Sequence, residues 1–332
     1  MQIQPPYLLF LGDTNDPLAV KTSRGVAQWR PEKCLGEHAI DGCSVSLGLP
    51  NMSIKEAAEK GAKTFILGLA NAGGTISESW IPSILEAMEN GMDIANGLHQ
   101  RLTDIPTIKH AANRLGCELF DVRHASENWP IANGTKRPGK RILTVGSDCS
   151  VGKMYTSLAL EKELLARGKK ASFCATGQTG ILICGSGISV DAVIADFISG
   201  AIEAIAPATD EDHWTIIEGQ GSLFHPSFAG VSLGLLHGAQ PDIIIQCLEV
   251  GRTHMRGLPN TPQPDLADCI ALNLQTARLT SPAVKLGGIA INSSSLSPAQ
   301  AEDYCAELAT RFSVPCTDPL RHGVATIVDG LF

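Results

Sequence analysis

Gly146-Ser-Asp-Cys-Ser-Val-Gly-Lys153 follows the apolar run Ile142-Leu-Thr-Val145 and precedes a helical pattern from Tyr155 to Arg167. Strand, glycine-rich turn, lysine, helix is the order that wraps a phosphate chain. Turn N–H groups point inward, the helix N-terminus adds positive potential, and the lysine supplies a full charge. Gly146, Ser147, Asp148, Cys149, Ser150, Val151, Gly152, Lys153 and Met154 are therefore the candidate residues for holding a phosphate-bearing ligand.

The loop departs from the usual Walker A pattern twice. Five residues separate its glycines where four are usual, and Lys153 is followed by Met154 where Ser or Thr normally ligates Mg²⁺. A thioether is too soft to hold a hard cation. Thr156 lies about 300° around the helix from Lys153, so it is not an obvious replacement. Such a loop grips phosphates but is poorly suited to Mg-assisted transfer of a γ-phosphoryl group. The longer form resembles the loop of the dethiobiotin synthetase and cobyrinate amidase group of P-loop proteins.

Outward from the loop, strands and helices alternate on both sides, which predicts α/β architecture with parallel sheets. After it, Ala171–Ala175, Trp214–Glu218, Asp242–Cys247 and Leu286–Asn292 read as strands. Lys153–Arg167, Val190–Ala206, Gly230–Gly238 and Pro298–Phe312 read as helices, with Ser297 an N-cap before an N1 proline. Before it, Leu8–Leu11, Thr64–Leu69, Ile94 and Glu118–Val122 read as strands, and Ile54–Gly61, Trp80–Asn90 and Ile108–Leu115 as helices. The Pro-, Gly- and Lys/Arg-rich stretch from Asn128 to Lys140 reads as a linker. Two domains are expected, a Rossmann-like one over 1–137 and a P-loop one over 138–332.

Several strand ends carry chemistry. Thr215-Ile-Ile-Glu218-Gly-Gln-Gly-Ser222 places a carboxylate where a general base, or a plain strand-terminal acid, would sit. Gly219, Gln220, Ser222 and His225 extend that loop. Ala175-Thr-Gly-Gln-Thr-Gly180 offers Gln178 and Thr179 for substrate binding, and Asp191 and Asp196 follow on the expected helix over 190–206. Glu249-Val-Gly-Arg252-Thr-His254-Met-Arg256-Gly257 holds two arginines and a histidine within five residues, a pattern that suits a carboxylate or phosphate. His225 and His254 are the preferred proton-transfer histidines. In the first half, Ala70-Asn-Ala-Gly-Gly74 reads as a tight turn after a strand, and Lys21, Thr22 and Arg30 form a polar segment.

Composition narrows the classes. The 332 residues carry a formal charge of −8 and no basic run, which excludes ordinary nucleic-acid binding. Ten scattered cysteines without a Cys-x-x-Cys pair argue against a zinc site and a disulfide framework. No metal site is expected from them. No stretch reaches the ~18 uninterrupted apolar residues of a membrane span. A cytoplasmic protein is expected, and a homo-oligomer on general grounds.

Taken together, these residues resemble one family over nearly the full chain: the two-domain P-loop family catalogued as of unknown function that includes D-glutamate N-acetyltransferase. The resemblance rests on Lys21-Thr22, Trp29-Arg30-Pro31, the 146–153 loop, Ala175–Gly180, Gly185–Ile188 with Asp191 and Asp196, Glu218–Pro226 and Gly251–Gly257. It implies acetyl transfer from acetyl-CoA to the amino group of a small acidic amino acid. CoA carries phosphates and needs no catalytic Mg²⁺. Arg252 and Arg256 would meet substrate carboxylates, and Glu218, His225 or His254 would take the ammonium proton. Two alternatives stand beside this: an ATP- and Mg-dependent kinase or ligase of the dethiobiotin-synthetase type, and a nucleotide-binding protein without turnover.

Overall fold

The computed structural model describes residues 2–124 and 128–332. The first stretch contains β1 (Tyr7–Gly12), α1 (Lys21–Trp29), β2 (Cys34–Ala39), α2 (Ile54–Glu59) and β3 (Thr64–Leu67). It continues through α3 (Ile81–Glu89), β4 (Asp93–Asn96), α4 (Pro106–Leu115) and β5 (Leu119–Asp121). The second begins β6 (Lys140–Gly146), α5 (Lys153–Ala166), β7 (Ala171–Cys174), α6 (Gln178–Cys184), α7 (Ile198–Ile205) and β8 (Trp214–Ile217). It ends α8 (Ala229–Ala239), β9 (Ile243–Glu249), α9 (Leu266–Ala277), β10 (Lys285–Asn292), α10 (Pro298–Phe312), β11 (Cys316–Thr317) and α11 (Ala325–Asp329).

Contacts group the chain into two compact units, 1–126 with 177–192, and 127–176 with 193–332. The first has a five-stranded sheet of order β2-β1-β3-β4-β5, and the second a six-stranded sheet of order β11-β10-β9-β6-β8-β7. Every strand pairing is parallel. All residues of β1, β3 and β8 are buried, as expected for parallel strands covered on both faces. The fold class read from the alternation is the one observed.

In the second sheet the chain runs outward from β6 to β7, returns to β8, then crosses to β9 on the other side of β6. The strand order therefore reverses between β6 and β9. Loops leaving the carboxyl ends of these two strands diverge and leave the crevice where open α/β sheets bind ligands. The 146–153 loop is one of them, and the arginine-bearing loop after β9 is the other.

Several elements differ from the sequence reading. The polar segment after β1 is helix α1 followed by edge strand β2. Its residues Lys-Thr-Ser-Arg-Gly-Val-Ala-Gln-Trp have modest helix propensity, and burial of Thr22, Ser23, Gly25 and Val26 decides the conformation. The expected helix over 190–206 begins only at Ile198. Asp191 and Asp196 lie in short 3₁₀ turns before it. The segment 178–184 is helix α6, with Gly180, Ile181, Leu182 and Ile183 buried, closed by Gly185 with φ +90°. Helices α9 and α11 and strand β11 were not anticipated. The Ser297 cap is present as a full capping box with Gln300.

Residues 128–139 form no regular element yet are firmly tied. Glu203 accepts from the N–H groups of Asn133 and Gly134, and Lys136 reaches the Gln240 carbonyl and Asp242. A Cβ on Gly200 of α7 would lie 1.8 Å from the Pro130 carbonyl oxygen. Gly200→Ala is therefore expected to destabilise the protein by ~1–3 kcal/mol, the range for overpacking. Urea unfolding would measure it, and an unchanged midpoint would mean the segment is free to shift.

Candidate phosphate-loop site

The loop leaves β6 at Gly146, where any side chain would collide with Val151, the Lys153 ammonium and the Asp148 carbonyl. Ser150 at the apex has φ +55° and Gly152 has φ +99°. This left-handed pair turns the chain into the first turn of α5. Lys153 is buried, and its Nζ donates to the carbonyls of Asp148 (2.7 Å) and Gly221 (2.8 Å). Burial pushes its pKa down, while Cys247, Cys149, Asp148 and Glu218 pull it back up. An entering anion would exchange carbonyl partners for a full negative charge.

Thr156 donates its hydroxyl to the Gly152 carbonyl at 3.0 Å and accepts from Cys247 Sγ. That hydroxyl is already engaged in holding the helix start. The position after Lys153, where a Walker A loop offers a Ser or Thr hydroxyl to a cation, is the thioether of Met154.

Glu218 stands buried just beyond β8. Its Oε2 accepts from Thr176 N–H at 3.0 Å, and its carbonyl takes the Thr176 hydroxyl at 2.6 Å. Gly219 is required next: a Cβ would fall 1.6 Å from the Thr144 carbonyl oxygen, and its N–H donates to Thr144 Oγ1. Gln220 donates to Thr176 Oγ1 at 3.1 Å. The β8 loop is thus pressed against β6, and Gly221 supplies a carbonyl to Lys153.

Asp148 organises the rest. It has no exposed surface, and its Oδ2 accepts from Arg252 Nη1 (2.8 Å), Arg256 N–H (2.7 Å) and Gln263 Nε2 (2.9 Å). Its Oδ1 accepts from Cys149 N–H at 2.6 Å. Burial pushes the carboxyl pKa up, but the Arg252 bond and charge and the two N–H donors outweigh it and hold the group below the usual carboxylate range. Arg252 also bonds the Cys149 carbonyl and pairs with Glu249. Its guanidinium cancels the negative charge that would otherwise sit inside a phosphate loop.

The two arginines differ in their commitments. Arg252 is spent on Asp148, Glu249 and loop carbonyls. Arg256 is exposed, and among the described residues its guanidinium has no hydrogen bond or ion pair. His225 is buried; its Nδ1 accepts from Ser227 N–H and its Nε2 faces the Arg256 carbonyl, both at 3.2 Å. The network assigns the proton to Nε2. His254 is exposed and bonds Thr253 through Nδ1. Gln178 and Thr179 open α6 and belong to the first unit.

Asp148, Cys149 and His225 bring potential ligand atoms within 4.8 Å of one another. They make a poor metal cage. Asp148 Oδ2 already has three donors, both His225 nitrogens are engaged, and burial keeps the Cys149 thiol pKa raised. None of the ten cysteines is in a disulfide.

Beside the loop lies a cavity of about 130 Å³, lined by Ser150, Gly152, Tyr155, Ile291, Asn292 and Leu320 among others. It opens at the carboxyl end of β10, next to the first turn of α5. Asp318 shapes its wall by accepting from Ser293, Leu320 and Arg321 N–H groups. Gln263, Tyr155 and Asn292 were not anticipated as site residues. Tyr155 follows the loop directly on the first turn of α5, whereas the sheet order brings Gln263 and Asn292 to it.

In the first unit, the 70–74 segment is a tight turn with Gly73 and Gly74 at positive φ. Thr22 is buried in α1, Arg30 reaches back to the Trp29 carbonyl, and Lys21 is exposed.

Two all-parallel α/β sheets, one with a phosphate loop at its switch point, define a two-domain P-loop protein. Residues 130–328 match the family model described as a domain of unknown function (DUF1611_C), P-loop domain. Residues 32–125 match its DUF1611_N, Rossmann-like counterpart, and the chain belongs to this DUF1611 family. A D-glutamate N-acetyltransferase of Pseudoalteromonas sp is 54% identical over 331 residues, covering 100% of both chains. Another of that name, from Tritonibacter scottomollicae, is 49% identical with 99% of both covered. A crystal structure of a DUF1611 family protein from Anabaena variabilis is 30% identical, with TM-score 0.83 and 99% of both chains covered. Among the described residues no helix is long and apolar enough to cross a membrane.

The Asp148 carboxyl gives a pH prediction. Its folded pKa lies below the unfolded value of about 3.9, so its contribution is complete above that pH and is lost as pH falls through the folded pKa. Between pH 5 and pH 3 (about one unit either side of the unfolded value), Asp148→Asn should lose less of its own urea midpoint than the wild type. Equal acid losses would remove Asp148 as a stabilising acceptor.

Proposed function

We propose that this protein is an N-acetyltransferase that moves an acetyl group from acetyl-CoA to the amino group of a small acidic amino acid such as D-glutamate. The observation that carries this is full-length identity of 54% and 49% to two proteins named for that activity. The site supports acetyl-CoA as donor in three ways. The loop amides and Lys153 suit a diphosphate, the absence of a free hydroxyl at Met154 and Thr156 matches a ligand that needs no divalent ion, and the neighbouring cavity suits a flat base.

In the reaction the amine lone pair attacks the thioester carbonyl carbon. The C–N bond forms, the C–S bond breaks, and the CoA sulfur leaves as a thiolate that takes up a proton. The incoming amine must first lose its ammonium proton. Glu218 is a candidate acceptor in the second unit, with His254 as the exposed one. Arg256 is the cation left free for an anionic group of donor or acceptor, and Arg252 keeps the loop neutral around Asp148.

Lys153→Ala should weaken CoA binding about tenfold to a hundredfold, the scale of a lost charge-assisted bond, as read by titration calorimetry. Unchanged affinity would mean that the loop does not hold the phosphates. Acetyl transfer from acetyl-CoA to D-glutamate, followed by thiol release, should survive excess EDTA. Tight ATP binding that requires Mg²⁺, with no thiol release from any amino acid tried, would instead favour a ligase or kinase.

A further inference from the structure

Arg256 presents an unusual arrangement. Its side chain is exposed and makes no bond among the described residues, yet both of its peptide groups are gripped by buried side chains. Asp148, with no exposed surface, accepts from its N–H at 2.7 Å. His225, 2% exposed, donates Nε2–H to its carbonyl at 3.2 Å. His225 is itself oriented by Ser227 N–H at 3.2 Å and packs on the Phe228 ring at a centroid distance of 4.5 Å. Next to Arg256, Met255 is buried, and its N–H bonds the Thr261 carbonyl. Gln263 closes the same loop, donating to both Asp148 and the His254 carbonyl. Buried polar groups fixing the backbone of a residue whose own exposed side chain makes no hydrogen bond is how a ligand contact is held ready before the ligand arrives.

We propose that Asp148 and His225 are positioning residues that hold Arg256 at the rim of the phosphate loop as the side chain that reads the donor's anionic group. His225 then acts through the Arg256 main chain. It need not touch the ligand or exchange a proton with it, since Ser227 and Arg256 already occupy its two ring nitrogens. The proposal rests on the reading above that the loop holds a phosphate-bearing donor.

A double-mutant cycle tests it, because two residues acting through one contact lose affinity non-additively. CoA and inorganic pyrophosphate are titrated separately into wild type, Arg256→Ala, His225→Ala, the double variant and His225→Gln, with thermal melting checked for each. Arg256→Ala is expected to weaken pyrophosphate and CoA about tenfold or more, the scale of one charge-assisted bond. His225→Ala should cause a comparable loss, the double variant should be no weaker than Arg256→Ala, and His225→Gln, which keeps a donor for the carbonyl, should recover most of the affinity. Losses that add in full, no loss in His225→Ala, or no recovery in His225→Gln would overturn the proposal. Should His225→Ala fail to fold, the Gln variant alone decides: with a donor retained, its affinity stays near wild type, and a tenfold loss overturns the proposal. Wild type that binds pyrophosphate but not CoA defeats the acetyl-CoA reading and leaves positioning to the pyrophosphate cycle. Binding of neither defeats both.

Discussion

The second unit depends on one buried carboxylate. A phosphate loop must gather N–H groups and positive charge, yet this one carries an acid at its third position. Asp148 is tolerated because it is fully enclosed and receives donors from Cys149, Arg252, Arg256 and Gln263. In return it joins the loop after β6 to the loop after β9, the two sides of the crevice at the switch point. A carboxylate stripped of water is stable as an anion only when hydrogen-bonded and paired. The same bonds that satisfy it therefore determine where the arginine loop lies.

This division of labour separates two residue types that look alike in sequence. Arg252 and Arg256 are four residues apart and equally basic. One neutralises a buried acid, and the other is left in solvent on a clamped backbone. Likewise His225 and His254 differ: the first is a buried imidazole with both nitrogens engaged, the second an exposed ring at the rim. Which of such a pair meets a ligand is decided by partners that lie far away along the chain.

The legibility of the fold follows the strength of local signals. β6, its loop and α5 were readable because the glycines, the lysine and the apolar run all point to one local structure. The N-cap at Ser297, followed by Pro298, was equally plain. By contrast α1, with Thr, Ser and Gly inside it, and α6, with two glycines near it, hold their shape through burial. The stretch 190–197 has apolar spacing but forms 3₁₀ turns before Ile198. Propensity is a weak prior, and tertiary packing overrode it at each of these places.

From the chain alone came the parallel α/β class, the phosphate loop with its missing hydroxyl, the acid beyond β8 and the cationic cluster after β9, together with the likeness to one two-domain family. Each is written in a few contiguous residues whose backbone needs or charges are local. Only the tertiary structure decided that Asp148 would bind Arg252 across more than a hundred residues, that Arg256 would remain free, and that Tyr155, Asn292 and Leu320 would enclose a cavity beside the loop. Those relations come from the strand order β11-β10-β9-β6, which brings distant loops to one sheet edge, and no local pattern of residues encodes that adjacency.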